Sequence, residues 1–142
     1  MIYFDTSYLA RCYLFDPGWQ PVRQLAGTDR VACAEHGQVE FLAAVHRKLR
    51  EGSLSPTDQQ AIMAQFDLDQ QTNVVQWLAL TPQVFDHAAR SFRNLPPSVF
   101  LRSSDALHLA CAAENGFADI YSNDRHLLAA AVHFGLTGVD II

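Results

Sequence analysis

Ile2-Tyr3-Phe4-Asp5-Thr6-Ser7 is the stretch on which the fold turns. Its three apolar residues read as a short buried strand that ends at Asp5, and Thr6 or Ser7 can cap a helix to about Phe15, where Asp16-Pro17-Gly18 stops it. The same grammar continues downstream. Trp19 to Ala26 predicts a second short helix, and Arg30 to Cys33, bounded by Gly27-Thr28-Asp29, a second strand. Glu35 to Arg50 predicts a longer helix whose Arg47-Lys48-Leu49-Arg50 end suits the helix dipole and whose stop is Gly52.

Ser55-Pro56-Thr57-Asp58 combines a cap, a first-turn proline and a first-turn acid, opening a helix that carries Ile62, Met63 and Phe66. Val74 to Leu80 is a near-continuous apolar strand. Thr81-Pro82 starts a helix to about Arg93, and Pro96-Pro97 forces an extended connection. Ser103 or Ser104 caps the next helix, which runs to Asn115-Gly116; Ala118 to Ser122 is strand-like, Asp124 to Phe134 helical, and Gly138 to Ile142 a last short strand. Strands alternating with helices predict an α/β protein with a mainly parallel central sheet covered on both faces, because parallel strands need crossover connections.

Length and composition narrow the class. With 142 residues and 49% hydrophobic content, the chain is expected to be one domain spanning 1–142. No apolar run approaches the ~20 residues of a membrane span, and the N-terminus shows no leader pattern, so no membrane partner and a cytoplasmic location are expected. Cys12, Cys33 and Cys111 are odd in number and lack a Cys-x-x-Cys pair, which argues against a disulfide framework or a thiolate zinc site. The net charge of −5 disfavours a generic phosphate-binding surface, yet an acidic cluster neutralised by metal would leave the remainder near neutral.

Such a cluster is legible. Asp5 closes the first strand, Asp124 follows the Ala118 to Ser122 strand, and Glu40 and Asp105 lie near the starts of helices. In parallel α/β folds the ligand crevice lies beyond the carboxyl ends of the strands, so the four acids can converge there. Like charges in a low-dielectric cleft repel by several kcal/mol, on the order of the intermediate-dielectric Coulomb estimate, unless a cation or a proton neutralises them. Oxygen ligands of this kind suit Mg²⁺ or Mn²⁺. Taken singly, Asp5 and Asp124 read equally well as helix caps and Asp105 as a first-turn acid; Glu40, between Val39 and Phe41, is harder to place without a partner.

Thr6 and Ser7 are expected to support Asp5 through their hydroxyls, and Arg11, Arg47 and Arg102 to meet substrate phosphate at the rim. Arg47, Lys48 and Arg50, and separately Arg90, Arg93 and Arg102, form the two clusters of available cations, with a solvated helix face as the equal alternative for each cluster. His108 reads as a satisfied core histidine in preference to a ligand, since oxygen-rich magnesium sites seldom recruit imidazole.

Tyr3-Phe4-Asp5-Thr6-Ser7, then Glu40, then Ser104-Asp105-Ala106-Leu107-His108-Leu109-Ala110, then Tyr121-Ser122-Asn123-Asp124, resembles the PIN-domain ribonucleases, in particular the VapC-like toxins of bacterial toxin–antitoxin pairs. The resemblance spans nearly the whole chain, and the Asp-Ala-Leu-His-Leu-Ala segment is its most specific part. It implies a three-layer α/β/α domain and a Mg²⁺- or Mn²⁺-dependent endoribonuclease acting on structured RNA such as tRNA or rRNA. It further implies a homodimer, inhibition by a cognate antitoxin, and Asp5, Glu40, Asp105 and Asp124 as catalytic, metal-binding residues. Ser122 stands where the family often has Thr, keeping a hydroxyl that can orient Asp124 or a water, and His126 stands where some relatives have another acid. Glu35 is an alternative for the Glu40 role. The helices at Pro17 to Gln24 and Ser55 to Gln70 are the expected antitoxin groove.

Rival readings are a phosphatase of the haloacid-dehalogenase type, a free-standing nuclease, and a non-catalytic RNA-binding module of the same fold. The phosphatase needs a second Asp two residues after Asp5, where Ser7 stands, and a suitably placed lysine, whereas Lys48 is the only lysine.

Overall fold

The computed structural model describes residues 1–142. In chain order its elements are β1 (Ile2–Tyr3), α1 (Thr6–Tyr13), α2 (Trp19–Ala26), β2 (Val31–Ala34), α3 (His36–Arg50), α4 (Pro56–Gln71) and β3 (Val75–Leu78). There follow α5 (Pro82–Asn94), α6 (Ser103–Glu114), β4 (Asp119–Tyr121), α7 (Arg125–Ala130), a 3₁₀ turn (Ala131–Phe134) and β5 (Thr137–Val139). No helix is long and apolar enough to cross a membrane.

Every strand pairing is parallel: β1 with β2, β2 with β3, and β4 with β5. One parallel bridge, Phe4 to Tyr121, together with the Asp5 N–H donating to the Tyr121 carbonyl at 3.0 Å, joins the two pieces into the order β3-β2-β1-β4-β5. Connections run outward from β1 in one direction and from β4 in the other, so the order reverses between these two strands. That is the switch point at which parallel α/β sheets form a crevice beyond their carboxyl ends.

Alternation along each strand builds the layers. Tyr3, Ala32 and Ala34 face one core with α5, α6 and α7, while Phe4, Val31, Cys33 and Val75 face the other with α1, α3 and α4. The expected three-layer α/β/α arrangement is therefore present. α6 is its central helix, buried from Asp105 and Ala106 through His108 to Ala112, with Ala106, Ala110 and Ala112 allowing close approach to its neighbours. Full burial of Leu109 on α6 and of Ile120 on β4 each contributes about 1.5–3 kcal/mol relative to exposure.

Several boundaries differ from the sequence reading. The N-cap of α1 is Asp5, whose side chain accepts from the Tyr8 N–H, and not Thr6 or Ser7; this leaves both hydroxyls for other partners. Neither Ser103 nor Ser104 caps α6: Arg102 occupies that position without a side-chain cap bond. β3 is an edge strand that stops at Leu78 because its ladder can extend only as far as the four residues of β2. β5 likewise spans Thr137–Val139, not Gly138 to Ile142, matching the three residues of β4. The last helix breaks at Ala130 into the 3₁₀ turn. Asp119 opens β4 and is exposed.

Candidate active site

Four elements deliver one acid each to a single cavity of about 640 Å³. Asp5 comes from the end of β1, Glu40 from α3, Asp105 from the first turn of α6, and Asp124 from the loop after β4; Thr6, Ser7, Arg47, Arg102 and His108 share the lining. The cavity lies at the β1/β4 switch point. Glu35 is not in its lining, so position 40 is the one the fold presents.

Asp5 is 5% exposed and fully hydrogen-bonded. Ser7 Oγ donates to Oδ1 at 2.7 Å, the Tyr8 N–H to the same oxygen at 3.0 Å, and Ser122 Oγ to Oδ2 at 2.6 Å. Burial pushes its pKa above the usual carboxylate value, while His108 and these donors pull the other way. Ser122 is fully buried and also accepts from the Asp124 N–H at 2.9 Å, so one hydroxyl couples the two aspartates.

Glu40 is held on another flank. Thr6 Oγ1 donates to Oε2 at 2.5 Å, and His108 Nε2 lies 3.0 Å from the same oxygen. Burial alone would raise the Glu40 pKa, but the hydrogen bond and charge of His108, with Thr6, outweigh it and hold it at about 2. Glu40 is therefore ionised across the physiological range. His108 is 1% exposed, and its Nδ1 lies 3.1 Å from the Tyr3 hydroxyl. The expectation of a satisfied core histidine holds for its burial, yet its other nitrogen faces the cavity.

Asp105 and Asp124 share Arg102. The guanidinium donates from Nε to Asp105 Oδ2 at 2.8 Å and from a terminal nitrogen to Asp124 Oδ2. Asp105 sits where the positive end of α6 favours an anion. Asp124 Oδ1 caps α7, accepting from the N–H groups of His126 at 2.8 Å and Leu127 at 3.3 Å. Capping and cavity-lining thus use different oxygens of one side chain.

Arg11 departs from its expected place at the rim. It is 9% exposed, its Nε donates to the Pro17 carbonyl at 2.8 Å and its Nη1 to the Ser7 carbonyl at 2.7 Å, with Asn123 Oδ1 at 3.3 Å. A guanidinium so occupied braces the α1–α2 turn and is turned away from solvent phosphate. Arg47 and Arg102 do line the cavity.

Sequence reasoning passed over His36, the first residue of α3. Its ring lies against that of His108, tilted by 43° with centroids 4.2 Å apart, its Nε2 lies 3.2 Å from the Ser104 carbonyl, and its buried Nδ1 has no partner. Burial, then the neighbouring His108, lowers its pKa to about 4, leaving the ring neutral at pH 7. Its spacing of four residues from Glu40, one helical turn, was the available signal.

The donor set fits a hard dication. The cavity offers four carboxylates and the hydroxyls of Thr6 and Ser7, with no thiolate in its lining, and a cationic guanidinium already bridges two of the acids.

Comparison with known proteins agrees with this architecture. No curated protein matches the sequence. Among solved structures the chain is similar to Mycobacterium tuberculosis VapC20, described as a sarcin–ricin loop cleaving toxin, with TM-score 0.69, 18% identity, and 92% of this chain and 95% of that one covered. It is similar also to FitAcB of Neisseria gonorrhoeae, with TM-score 0.74, 12% identity and coverage of 97% and 96%. VapBC2 of Rickettsia felis, bound to a DNA fragment from its promoter, gives TM-score 0.68, 13% identity and coverage of 99% and 98%. At such identities these likenesses show the shared fold, while the sequence itself matches the model of the PIN domain over residues 2–132. On that match and on a sheet that gathers its acids at the switch point, the chain belongs to the PIN domain family.

Proposed function

We propose that the protein is a divalent-metal-dependent endoribonuclease acting on structured RNA of the tRNA or rRNA class, and the toxin of a toxin–antitoxin pair. The observation that carries this reading is the convergence of Asp5, Glu40, Asp105 and Asp124 from four elements on one cavity. The four acids would hold Mg²⁺ or Mn²⁺, which when bound supplies the Lewis acidity that activates water and offsets charge on the phosphate. Everything else falls to the protein. Ser7, Ser122 and the Tyr8 N–H fix both oxygens of Asp5, so the carboxylate is oriented before substrate arrives. Thr6 and His108 keep Glu40 ionised and in place. Arg47 and Arg102 are the cavity's own cations for the RNA backbone, and Arg102 can exchange its carboxylate partners for phosphate.

The structural relatives support the toxin and antitoxin parts of the reading: one is a toxin that cleaves the sarcin–ricin loop, and another is a VapBC assembly. An antitoxin would dock on the flank built by α1, α2 and α4. There Phe15 is 73% exposed, packs edge-on against Trp19, and shares the Arg23 guanidinium with it. A homodimer in the cytoplasm completes the proposal.

Purified protein should cleave RNA in Mg²⁺ or Mn²⁺ and stop in the presence of a chelator, and Asp5→Asn should remove cleavage while the fold persists by circular dichroism. Undiminished turnover in that variant would reject the assignment. Expression should arrest growth, and co-expression of the adjacent small protein should relieve the arrest.

A further inference from the structure

Beneath the edge of the cavity that Glu40 and His108 line lies a second imidazole, His36, which the carboxylate cluster leaves unused. His36 and Glu40 occupy successive turns of α3, and His108 reaches them from α6. One donor atom from each lies within 4.8 Å of the others. The approach of the two helices depends on Gly37: a Cβ there would stand 2.6 Å from Cys33 Sγ, 3.2 Å from Thr6 Oγ1 and 3.5 Å from His108 Cε1. A side chain at position 37 would force Cys33 Sγ or the start of α3 to shift.

Both rings are supported on the side away from the shared corner. His36 Nε2–H can donate to the Ser104 carbonyl, leaving Nδ1 a bare, buried lone pair without a partner. In the metal-free site His108 Nε2–H donates to Glu40; on metal binding that proton can move to Nδ1, whose N–H then donates to the Tyr3 hydroxyl and leaves Nε2 free to ligate. Metal-binding histidines are held in this manner, with the distal N–H fixed by a carbonyl or another acceptor. Two imidazole nitrogens and one carboxylate form a borderline donor set, suited to Zn²⁺ and Co²⁺ and poorly suited to Mg²⁺.

We infer that His36, His108 and Glu40 form a binding site for a borderline transition metal of the Zn²⁺ class, separate in ligand chemistry from the carboxylate set and meeting it only at Glu40. Thr6 Oγ1, 3.1 Å from His108 Nε2, stands beside the fourth position. Small rotations of the side chains bring the three donors to the ~2.0–2.2 Å bonds zinc requires. The site is a binding claim and stands whether or not the protein cleaves RNA.

The test is titration of chelator-treated, full-length protein with Co²⁺, followed by competition with Zn²⁺. One equivalent of Co²⁺ should give the intense visible d–d bands of a four-coordinate nitrogen and oxygen site, and Zn²⁺ should abolish them. His36→Ala, at the helix start, should weaken binding at least about tenfold. Glu40→Gln should do the same, with His108→Gln as a further variant wherever circular dichroism shows it folded. Glu114→Gln, outside the cavity lining, should bind Co²⁺ as tightly as the parent. Absence of the bands in the parent, or their persistence at unchanged affinity in His36→Ala, would overturn the site. Loss of RNA cleavage in the parent with intact Co²⁺ bands would instead reject the ribonuclease reading and leave this one standing.

Discussion

On one flank of the cavity, Glu40 is gripped by a fully buried imidazole and a threonine hydroxyl; on another, Asp105 and Asp124 share a guanidinium whose side chain is 57% exposed. The first arrangement is rigid, because His108 is itself anchored to Tyr3 and packed at 1% exposure. The second is exchangeable, because an exposed arginine gives up its partners at little cost. The same electrostatic problem, negative charge at the edge of a core, is met by fixed buried donors in one place and by a removable, half-exposed cation in the other. The contrast implies that ligands enter on the Arg102 flank while the Glu40 flank holds its shape.

The sharpest way to break this comparison is to neutralise one acid from each flank. Glu40→Gln and Asp124→Asn should each lower RNA cleavage by about 100- to 1000-fold, the usual loss when a group stabilising transition-state charge is removed. Equal losses in an oligonucleotide cleavage assay would show both flanks serving one ion; retention of activity in either variant would assign catalysis to the other flank alone. Next in size is the effect of Zn²⁺. An ion held by His36 and His108 engages Glu40, so equimolar Zn²⁺ should cut Mg²⁺-supported cleavage by about tenfold or more, and His36→Ala should relieve it. Insensitivity of the parent would mean that the rigid flank has no second use.

A smaller effect is expected at Arg102. Arg102→Ala should lower the Mg²⁺ concentration for half-maximal cleavage by roughly threefold, since the competing guanidinium is more than half exposed and its pairs are worth about 1 kcal/mol. It should also raise KM for RNA through the lost phosphate contact. An unchanged Mg²⁺ midpoint would contradict the exchangeable role. The smallest effect concerns stability. Burial raises the Asp5 pKa, so its charge opposes folding: the penalty is absent below the unfolded value near 3.8 and complete above the raised folded one. With chelator present at pH 7, Asp5→Asn should melt about 3 °C higher, and below pH 4 the gain should vanish. A lower melting temperature at neutral pH would show that the Ser7 and Ser122 hydrogen bonds outweigh desolvation.

Much of this molecule can be read from its residues. The cap-and-proline signatures at Ser55-Pro56 and Thr81-Pro82 start α4 and α5 where expected, because capping is a local matter of one side chain and one amide. The acids Asp5, Glu40, Asp105 and Asp124 meet at one cavity because strand ends and helix starts in a parallel sheet share a side. What the sequence conceals is set by packing at a distance. Arg11 looks like a surface cation on a short helix, and only the fold of the α1–α2 turn brings the Pro17 carbonyl against it. His36 shows locally only its one-turn spacing from Glu40; its other neighbour, His108, is 72 positions away and meets it beside Gly37. Strand ends are equally nonlocal, being fixed by the partner ladder and not by apolarity alone.

The seam between β1 and β4, closed by the single Phe4–Tyr121 bridge, has a mechanical consequence. Strain applied to the domain will concentrate where the sheet is most thinly stitched, and that line runs into the acidic cavity. Both hydrophobic layers cross this line, through Tyr3 and Ile120 on one face and through Phe4, Tyr8 and Tyr121 on the other, so side-chain packing and not the backbone ladder keeps the cleft at its width.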